Sequence, residues 1–404
     1  MTIEFNMIQT AGLAIIWLLV GKLLRARIKV FRDFAIPAPV IGGFLFALIN
    51  LAFRVNDIMV IEFDETLRSF FMIIFFTSIG YNASIKTLKA GGPMVIKFLL
   101  LATLLCVLQN VVAIALSGVA GVEPGLALMT GSTPMTGGHG TSAGIAPLVE
   151  ASGIVGANAV AVSSATFGLV AGSLLGGPIS NMLIKKNNLV EKKQLEDTEE
   201  SFDDSLLEEI VQPLDGDRMN MAFFVLLIAM FLGSYISNFL NVQVSKITAL
   251  ASFPAYIGPM LLAILARYIS DKGSNFVPVK EVEIAGSIGL NIFLAMALMT
   301  MRLWDLADLI GSMVILLSAQ VVLVALFVIF VTYKFMGNNY DSAVLAAGHM
   351  GFGMGATPNG VANMESVCDK YVYSKMAFFV LPIVGGMFID FANVLVIIGF
   401  LSII

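Results

Sequence analysis

The sequence predicts an all-α integral membrane protein of two inverted five-helix repeats, each with a re-entrant helix-loop-helix hairpin. Three observations predict it: an apolar excess too large for a water-soluble chain, ten hydrophobic runs split evenly by one polar stretch, and two Gly-rich segments at matching places. Of 404 residues, 58% are hydrophobic and 13% charged, and the mean hydropathy is +0.91, which requires lipid as the solvent. A formal net charge of −5 and a sequence pI near 5.2 leave no broad basic surface, so nucleic acid is not an expected partner. Cys106 and Cys368 lie in different apolar runs and supply neither a disulfide framework nor a Cys-rich metal site. No Lys or Arg precedes the first apolar run. That flank is wrong for a cleavable signal peptide, and the first segment is expected to stay as a helix.

A span needs roughly 20 mostly apolar residues. In the first half such runs cover 7–24, 34–53, 67–81, 93–117 and 154–184; in the second they cover 219–240, 247–269, 284–301, 306–335 and 373–401. Between them, 185–218 is rich in Glu, Asp and Lys and contains Pro213 and Gly216, the composition of a surface linker. The domain reading is therefore an N-terminal repeat over 1–184 with a re-entrant loop near 125–150, the linker 185–218, and a C-terminal repeat over 219–404 with a re-entrant loop near 341–368. Short loops rich in Lys and Arg remain cytoplasmic. With both termini outside, all of the 23 basic residues except Arg54, Arg68, Lys246 and Arg302 fall inside, and the linker is cytoplasmic. An odd number of spans per half then inverts the second half relative to the first. Weak echoes agree: Pro37-Ala-Pro39 against Pro254 to Pro259, and Gln109 and Gln320 in the long fourth run of each half.

Both histidines of the chain lie in Gly-dense stretches between the fourth and fifth runs of their halves. The first reads Thr130-Gly-Ser-Thr-Pro-Met-Thr-Gly-Gly-His-Gly-Thr-Ser-Ala-Gly144, and the second Gly348-His-Met-Gly-Phe-Gly-Met-Gly-Ala-Thr-Pro-Asn-Gly360. Flanks too short to span separately fit a helix, an unwound tip and a returning helix. Non-helical backbone at membrane depth is tolerated only where protein buries it or where it lines a water-filled cavity. Glycine lets the chain unwind and a ligand approach the main chain, and helix N-termini favour anions. Unwound carbonyls and the hydroxyls of Ser132, Thr133, Thr136, Thr141 and Thr357 are hard oxygen donors suited to sodium. The bland alternative is that these small residues only permit close helix packing. His139 and His349 are either substrate contacts or imidazoles that tie loops together.

The strings Gly137-Gly-His-Gly-Thr141 and Gly348-His-Met-Gly-Phe-Gly-Met-Gly-Ala-Thr-Pro358 resemble the bacterial sodium/glutamate symporter family. So do Ala165-Thr-Phe-Gly-Leu-Val170, Phe293-Leu-Ala-Met-Ala-Leu298, Asn339-Tyr-Asp341 and Phe388-Ile-Asp-Phe-Ala-Asn393, which carry the resemblance from the first span to the last, outside the linker. The resemblance implies a sodium-dependent L-glutamate carrier of the bacterial inner membrane, a homodimer with a scaffold part and an elevator-like mobile part, no resident cofactor, and Na+ as the co-transported ion. Ser142 stands where this family is expected to have Gly, and Asn359-Gly360 follows the second Thr-Pro where it varies, so the substrate range can differ. The substrate contacts are placed on Thr136, Gly137, Gly138, His139, Gly140, Thr141, Gly353, Gly355, Thr357 and Asn359. The sodium contacts are placed on Asn82, Ser132, Thr133, Gly351, Asp390 and Asn393.

An ionisable group at membrane depth is a functional candidate until its partner is found. Asp390 lies mid-span one helical turn before Asn393, in a sodium-linked or a structural role. Asp341 reads as a helix cap opening the second hairpin. Neither Gly-rich segment contains Lys or Arg, so a dianionic side must be offset by helix N-termini and bound sodium, which makes substrate and cation binding mutually dependent. Arg302 is an interfacial anchor or a residue that reaches substrate from outside. Another carboxylate such as citrate or aspartate stays open as the substrate. A channel would need ringed selectivity groups, and an enzyme would need an adjacent Ser/His/Asp set, paired acids or a metal cluster, for which the sequence offers no pattern.

Overall fold

The computed structural model describes residues 2–33, 36–84, 92–191, 215–244, 253–274, 276–305 and 309–404. Most of the linker, the loop bearing Lys86 and Lys89, the start of the expected seventh run and the first residues of the second and ninth lie outside them. A bilayer interior offers no water to the backbone, so the chain satisfies its N–H and C=O groups within helices.

Strand β1 (Thr2–Phe5) leads into α1 (Met7–Arg27), which Asn6 caps by accepting from the Ile8 and Gln9 amides. The short α2 (Lys29–Asp33) precedes α3 (Ala38–Val55), and β2 (Val60–Phe63) pairs parallel with β1, Thr2 opposite Val60 through Phe5 opposite Phe63. Helix α4 (Thr66–Asn82) follows, then α5 (Gly92–Ala120), the short α6 (Pro124–Leu128), α7 (Gly138–Ala151) and α8 (Ala157–Lys186). After the linker come α9 (Gly216–Val244), α10 (Ile257–Ile269), α11 (Val279–Met299) and α12 (Ile310–Phe327), which runs on through a π-turn to Phe335. The last four are α13 (Tyr340–Gly353), α14 (Thr357–Cys368), α15 (Lys375–Ile383) and α16 (Ile389–Leu401).

Seven of these, α1, α3, α5, α8, α9, α11 and α12, are long and apolar enough to cross a membrane, and α15 with α16 makes an eighth if the 46° bend between them belongs to one span. The sequence reading of ten is thus not met by length alone: α4 has 17 residues and the described part of α10 has 13. The outward face of α9 exposes Phe224, Ile228, Phe231 and Tyr235, as lipid contact requires.

The helices pack as two groups. Helices α1, α3, α4, α9, α10 and α11 form one, with α4 against α11 and α10, and α1 and α11 against α3. Helices α5 to α8 and α12 to α16 form the other, around a large apolar core that runs from Val95 and Phe98 to Ile397. Because lipid tails are as apolar as leucine, close backbone approach holds such groups together. A Cβ at Gly42 would lie 1.8 Å from the Trp17 carbonyl oxygen, and one at Gly80 2.4 Å from that of Met260, so both crossings require glycine.

Several side-chain hydrogen bonds lie within one group or the other. In the first group Tyr81 donates to the Val225 carbonyl at 2.9 Å and Ser84 to Asp271 at 2.6 Å; in the second Ser312 donates to the Ala120 carbonyl at 2.6 Å and Asn363 to the Gly172 carbonyl at 2.9 Å. Where the groups pack directly against each other the contacts are apolar, with Ala143, Ala159 and Val162 packed on Val40, Phe293 and Leu298, and Val394 and Ile398 packed near Phe76 and Tyr256.

Asp341 is not the cap expected at the second hairpin. Asn339 caps α13, accepting from the Ser342 amide at 3.0 Å, while Asp341 accepts from the Ser374 hydroxyl at 2.6 Å and ties the hairpin's base to α15.

Candidate functional site

Each Gly-rich segment is a broken helix. In the first, turns over 129–137 separate α6 from α7; in the second, α13 stops at Gly353 and α14 restarts at Thr357, with Ala356 extended and Pro358 in its first turn. Proline there loses nothing, because an N–H at that position has no helical partner. The two tips meet. Gly138 has φ +60°, and a Cβ on it would lie 2.5 Å from the Gly355 carbonyl oxygen; both the left-handed backbone and the approach demand glycine.

A cavity of about 340 Å³ opens where they meet, a size usual for small-molecule sites. Thr136 to Thr141 and Gly355 to Asn359 form one wall, with Gly385, Gly386 and Asp390 from the α15–α16 bend. Phe75, Ser78, Asn82, Glu283, Ser287 and Leu290 of α4 and α11 form the other. The N-termini of α7 and α14 both open here, bringing two partial positive charges. Among the described residues the lining contains two carboxylates, Asp390 and Glu283, and no Lys or Arg.

Behind the wall a buried amide network holds the unwound tips. The Gln109 side chain of α5 accepts from the Thr136 hydroxyl at 2.8 Å and donates to the Gly353 carbonyl at 2.7 Å, so one residue binds both tips. Gln320 donates in turn to the Gln109 carbonyl at 2.8 Å. Asn110 accepts from the Ser132 amide at 2.8 Å, and Asn393 donates to the Ser132 carbonyl at 3.0 Å. The Ser132 and Thr133 hydroxyls and the Asn393 side-chain oxygen remain buried without a protein partner. Uncompensated polar atoms at this depth are costly. Among the described residues no cluster of three His, Cys, Asp or Glu side chains gathers to hold a metal ion.

The family model described as sodium/glutamate symporter matches residues 3–373. The chain belongs to this family. It is 39% identical over 396 residues to the sodium/glutamate symporter of Haemophilus influenzae, covering 97% of this chain and 96% of that protein. Against the sodium/glutamate symporters of Escherichia coli and Shigella flexneri it is 36% identical over 400 residues, covering 98% of this chain and 97% of theirs. The sodium/glutamate symporter family is one of membrane transporters, not of enzymes, so the cavity is to be read for binding rather than for chemistry.

The structure brings most of the sequence-selected residues to this cavity. Thr136, Gly137, Gly138, His139, Gly140, Thr141, Gly355, Thr357, Asn359, Asn82 and Asp390 line it. Ser132, Thr133 and Asn393 sit behind it in the buried network. Gly353 and Gly351 face elsewhere: Gly353 packs on Leu105 and His349, and Gly351 against the Asn359 backbone. The two histidines part company. His139 lines the cavity with Nε2 2.9 Å from the Thr166 hydroxyl, whereas His349 is walled in by Phe98, Phe327 and Phe352 with Nδ1 2.9 Å from the Thr332 hydroxyl. Asn359 is buried and donates to the Leu169 carbonyl and the Ser173 hydroxyl, each at 3.0 Å. The network residues Gln109, Asn110 and Asn363, and the carboxylate of Glu283, were not among the selected set; a Gln-Asn pair within an apolar run was the available signal for the first two.

Gly138→Ala should cost about 1–2 kcal/mol through the left-handed backbone alone and force the tips apart besides. Sodium-driven uptake should fall at least roughly tenfold while the protein still assembles in the membrane; normal uptake by this variant would show that the close approach is dispensable.

Proposed function

We propose that the protein carries L-glutamate into the bacterial cell together with sodium ions, across the inner membrane, by alternating access of this cavity. One observation carries the reading: both Gly-rich tips border a single cavity whose described lining holds two carboxylates and no basic side chain. A dicarboxylate entering it meets like charge. Helix N-termini offset part of that charge, and the rest needs cations that arrive with the substrate, which is coupling by electrostatics. The unpartnered oxygens of Ser132, Thr133 and Asn393 supply a place for sodium next to the first tip, and Asp390 stands one turn away from Asn393 at the cavity wall. The names of the relatives in Haemophilus influenzae, Escherichia coli and Shigella flexneri agree with this substrate and ion.

The movement we favour is elevator-like. Both hairpins belong to the second helix group, and outside the cavities its direct packing on α3, α4, α10 and α11 is apolar. Apolar packing is not directional, which supports one group sliding past the other at small cost. The order of long helices and hairpin before the linker returns after it, which supports two inverted repeats, 1–184 and 219–404, joined by a cytoplasmic linker over 185–218. The excess of Lys and Arg on the linker side supports termini that face outward. The first group, with its lipid-facing α9, is the part suited to serve as scaffold in a homodimer.

Proteoliposomes given radiolabelled L-glutamate and an inward sodium gradient should accumulate it, with potassium or a proton gradient ineffective. Uptake suppressed by citrate instead, or absent, would turn the reading toward another carboxylate. Asp390→Asn should raise the sodium concentration for half-maximal uptake roughly tenfold, the worth of one charge-assisted contact, with assembly unchanged; an unaltered sodium dependence would remove Asp390 from the coupling. Cysteines placed singly at Thr141 and Thr357, with Cys106 and Cys368 replaced by serine, should change their labelling rates together when sodium and glutamate are added. A response at one position alone would contradict movement of the two hairpins as a unit.

A further inference from the structure

A second and larger cavity, about 600 Å³, lies at the end of the bundle where α3 finishes and α4 begins, and it contains what the deep cavity lacks. Three guanidiniums line it: Arg54 in the last turn of α3, Arg68 in the first turn of α4 and Arg302 just beyond α11. The two cavities are successive. Helix α4 lines the outer one with Arg68 and the inner with Phe75, α7 with Pro147 and Thr141, and α11 with Thr300 at its end and Leu294 within. At 1.5 Å per residue these offsets set the cavities roughly 10 Å apart along the same helices.

The charges of the outer cavity are not equally available. Arg68 is nearly buried and held by Glu65 at 2.5 Å. Glu150 accepts from the Asn158 amide at 3.0 Å. Arg54 lies over the Trp304 ring, 4.2 Å from its centroid, which fixes the guanidinium while leaving its N–H groups to the cavity. Arg302 and, on β2, Glu62 are exposed. The lining carries three guanidiniums and three carboxylates; with Arg68 and the half-exposed Glu65 paired and Glu150 engaged by the Asn158 amide, Arg54, Arg302 and Glu62 are the set that complements an amino acid with two carboxylates and one ammonium.

We propose that this cavity is a staging site for the zwitterionic dicarboxylate substrate, in which Arg54 and Arg302 receive the carboxylates and Glu62 the ammonium before the substrate moves down to the tips. The inference rests on the reading above that the deep cavity takes such a substrate. All three arginines belong to the first helix group and the tips to the second, so the anion is captured by one group and carried by the other. Guanidiniums at the entrance raise the local anion concentration, whereas in the deep cavity a fixed cation would compete with sodium for the same charge.

The test uses the full-length protein in proteoliposomes at fixed sodium, with choline chloride varied to set ionic strength, and compares the parent with R54Q/R302Q. Arg68 is left alone because it is buried. The KM for the transported amino acid should rise roughly tenfold at low ionic strength, with Vmax changed much less, and the gap should close as choline chloride increases. Arg54→Lys with Arg302→Lys should recover most of the loss. If the double variant assembles poorly, Arg302→Gln alone, at an exposed position, reads the same quantities with a smaller shift. An unchanged KM, a rise indifferent to ionic strength, or a fall confined to Vmax overturns the proposal. So does disappearance of the arginine dependence when phosphatidylethanolamine in the vesicles is replaced by phosphatidylcholine, which assigns the cavity to lipid headgroups. Should the parent carry a carboxylate other than glutamate, the comparison is made on that anion; the substrate reading then fails while the cavity is still put to the test.

Discussion

A helix broken inside a bilayer leaves main-chain groups with no water to satisfy them, and the arrangement of this protein follows from how two such breaks are repaired. The repair is done by amide side chains from long helices that stay intact. Gln109 serves the first tip through Thr136 and the second through the Gly353 carbonyl, and Gln320 supports Gln109 from behind. Asn110 and Asn393 do the same for Ser132. Through these shared partners the two hairpins are tied to one another and to α5, α8 and α12.

Charge is distributed to match. The described lining of the deep cavity has two carboxylates and main-chain dipoles without Lys or Arg, the outer cavity has three guanidiniums beside three carboxylates, and the two lie along the same three helices. An arginine at the tips would bind an anion strongly in every conformation and would leave little for a sodium gradient to do. Placing the basic groups above the site allows attraction without removing the dependence on the ion.

The family and the site region were legible in sequence because their signals are local. Thr130 to Gly144 and Gly348 to Gly360 announce unwound backbone by composition, and two histidines at equivalent places make coincidence a poor account. What the sequence hid depends on distance along the chain. Nothing near Gln109 points to Gly353, because that bond joins residues far apart in sequence. The β1–β2 pair escaped notice because each strand has only four residues, beside much longer apolar runs. Asp341 was mistaken for a cap because Asn339, two residues earlier, has the better geometry, and one step along a helix start decides which side chain reaches back. Span counting by length alone passes over α4, whose 17 residues end at Asn82 on the cavity.

The meeting of Gly138 with the Gly355 carbonyl has a consequence for how such a protein can change its diet. A ligand gripped by peptide groups touches atoms that every amino acid shares, and exchanging a side chain leaves those atoms where they were. Selectivity must then be remodelled from the opposite wall, where Phe75, Ser78, Ser287 and Leu290 project from α4 and α11. Those positions lie on helices other than the ones that bear the hairpins. Drift in taste and upkeep of the broken backbone thereby fall to different stretches of the chain, and one can wander without undoing the other.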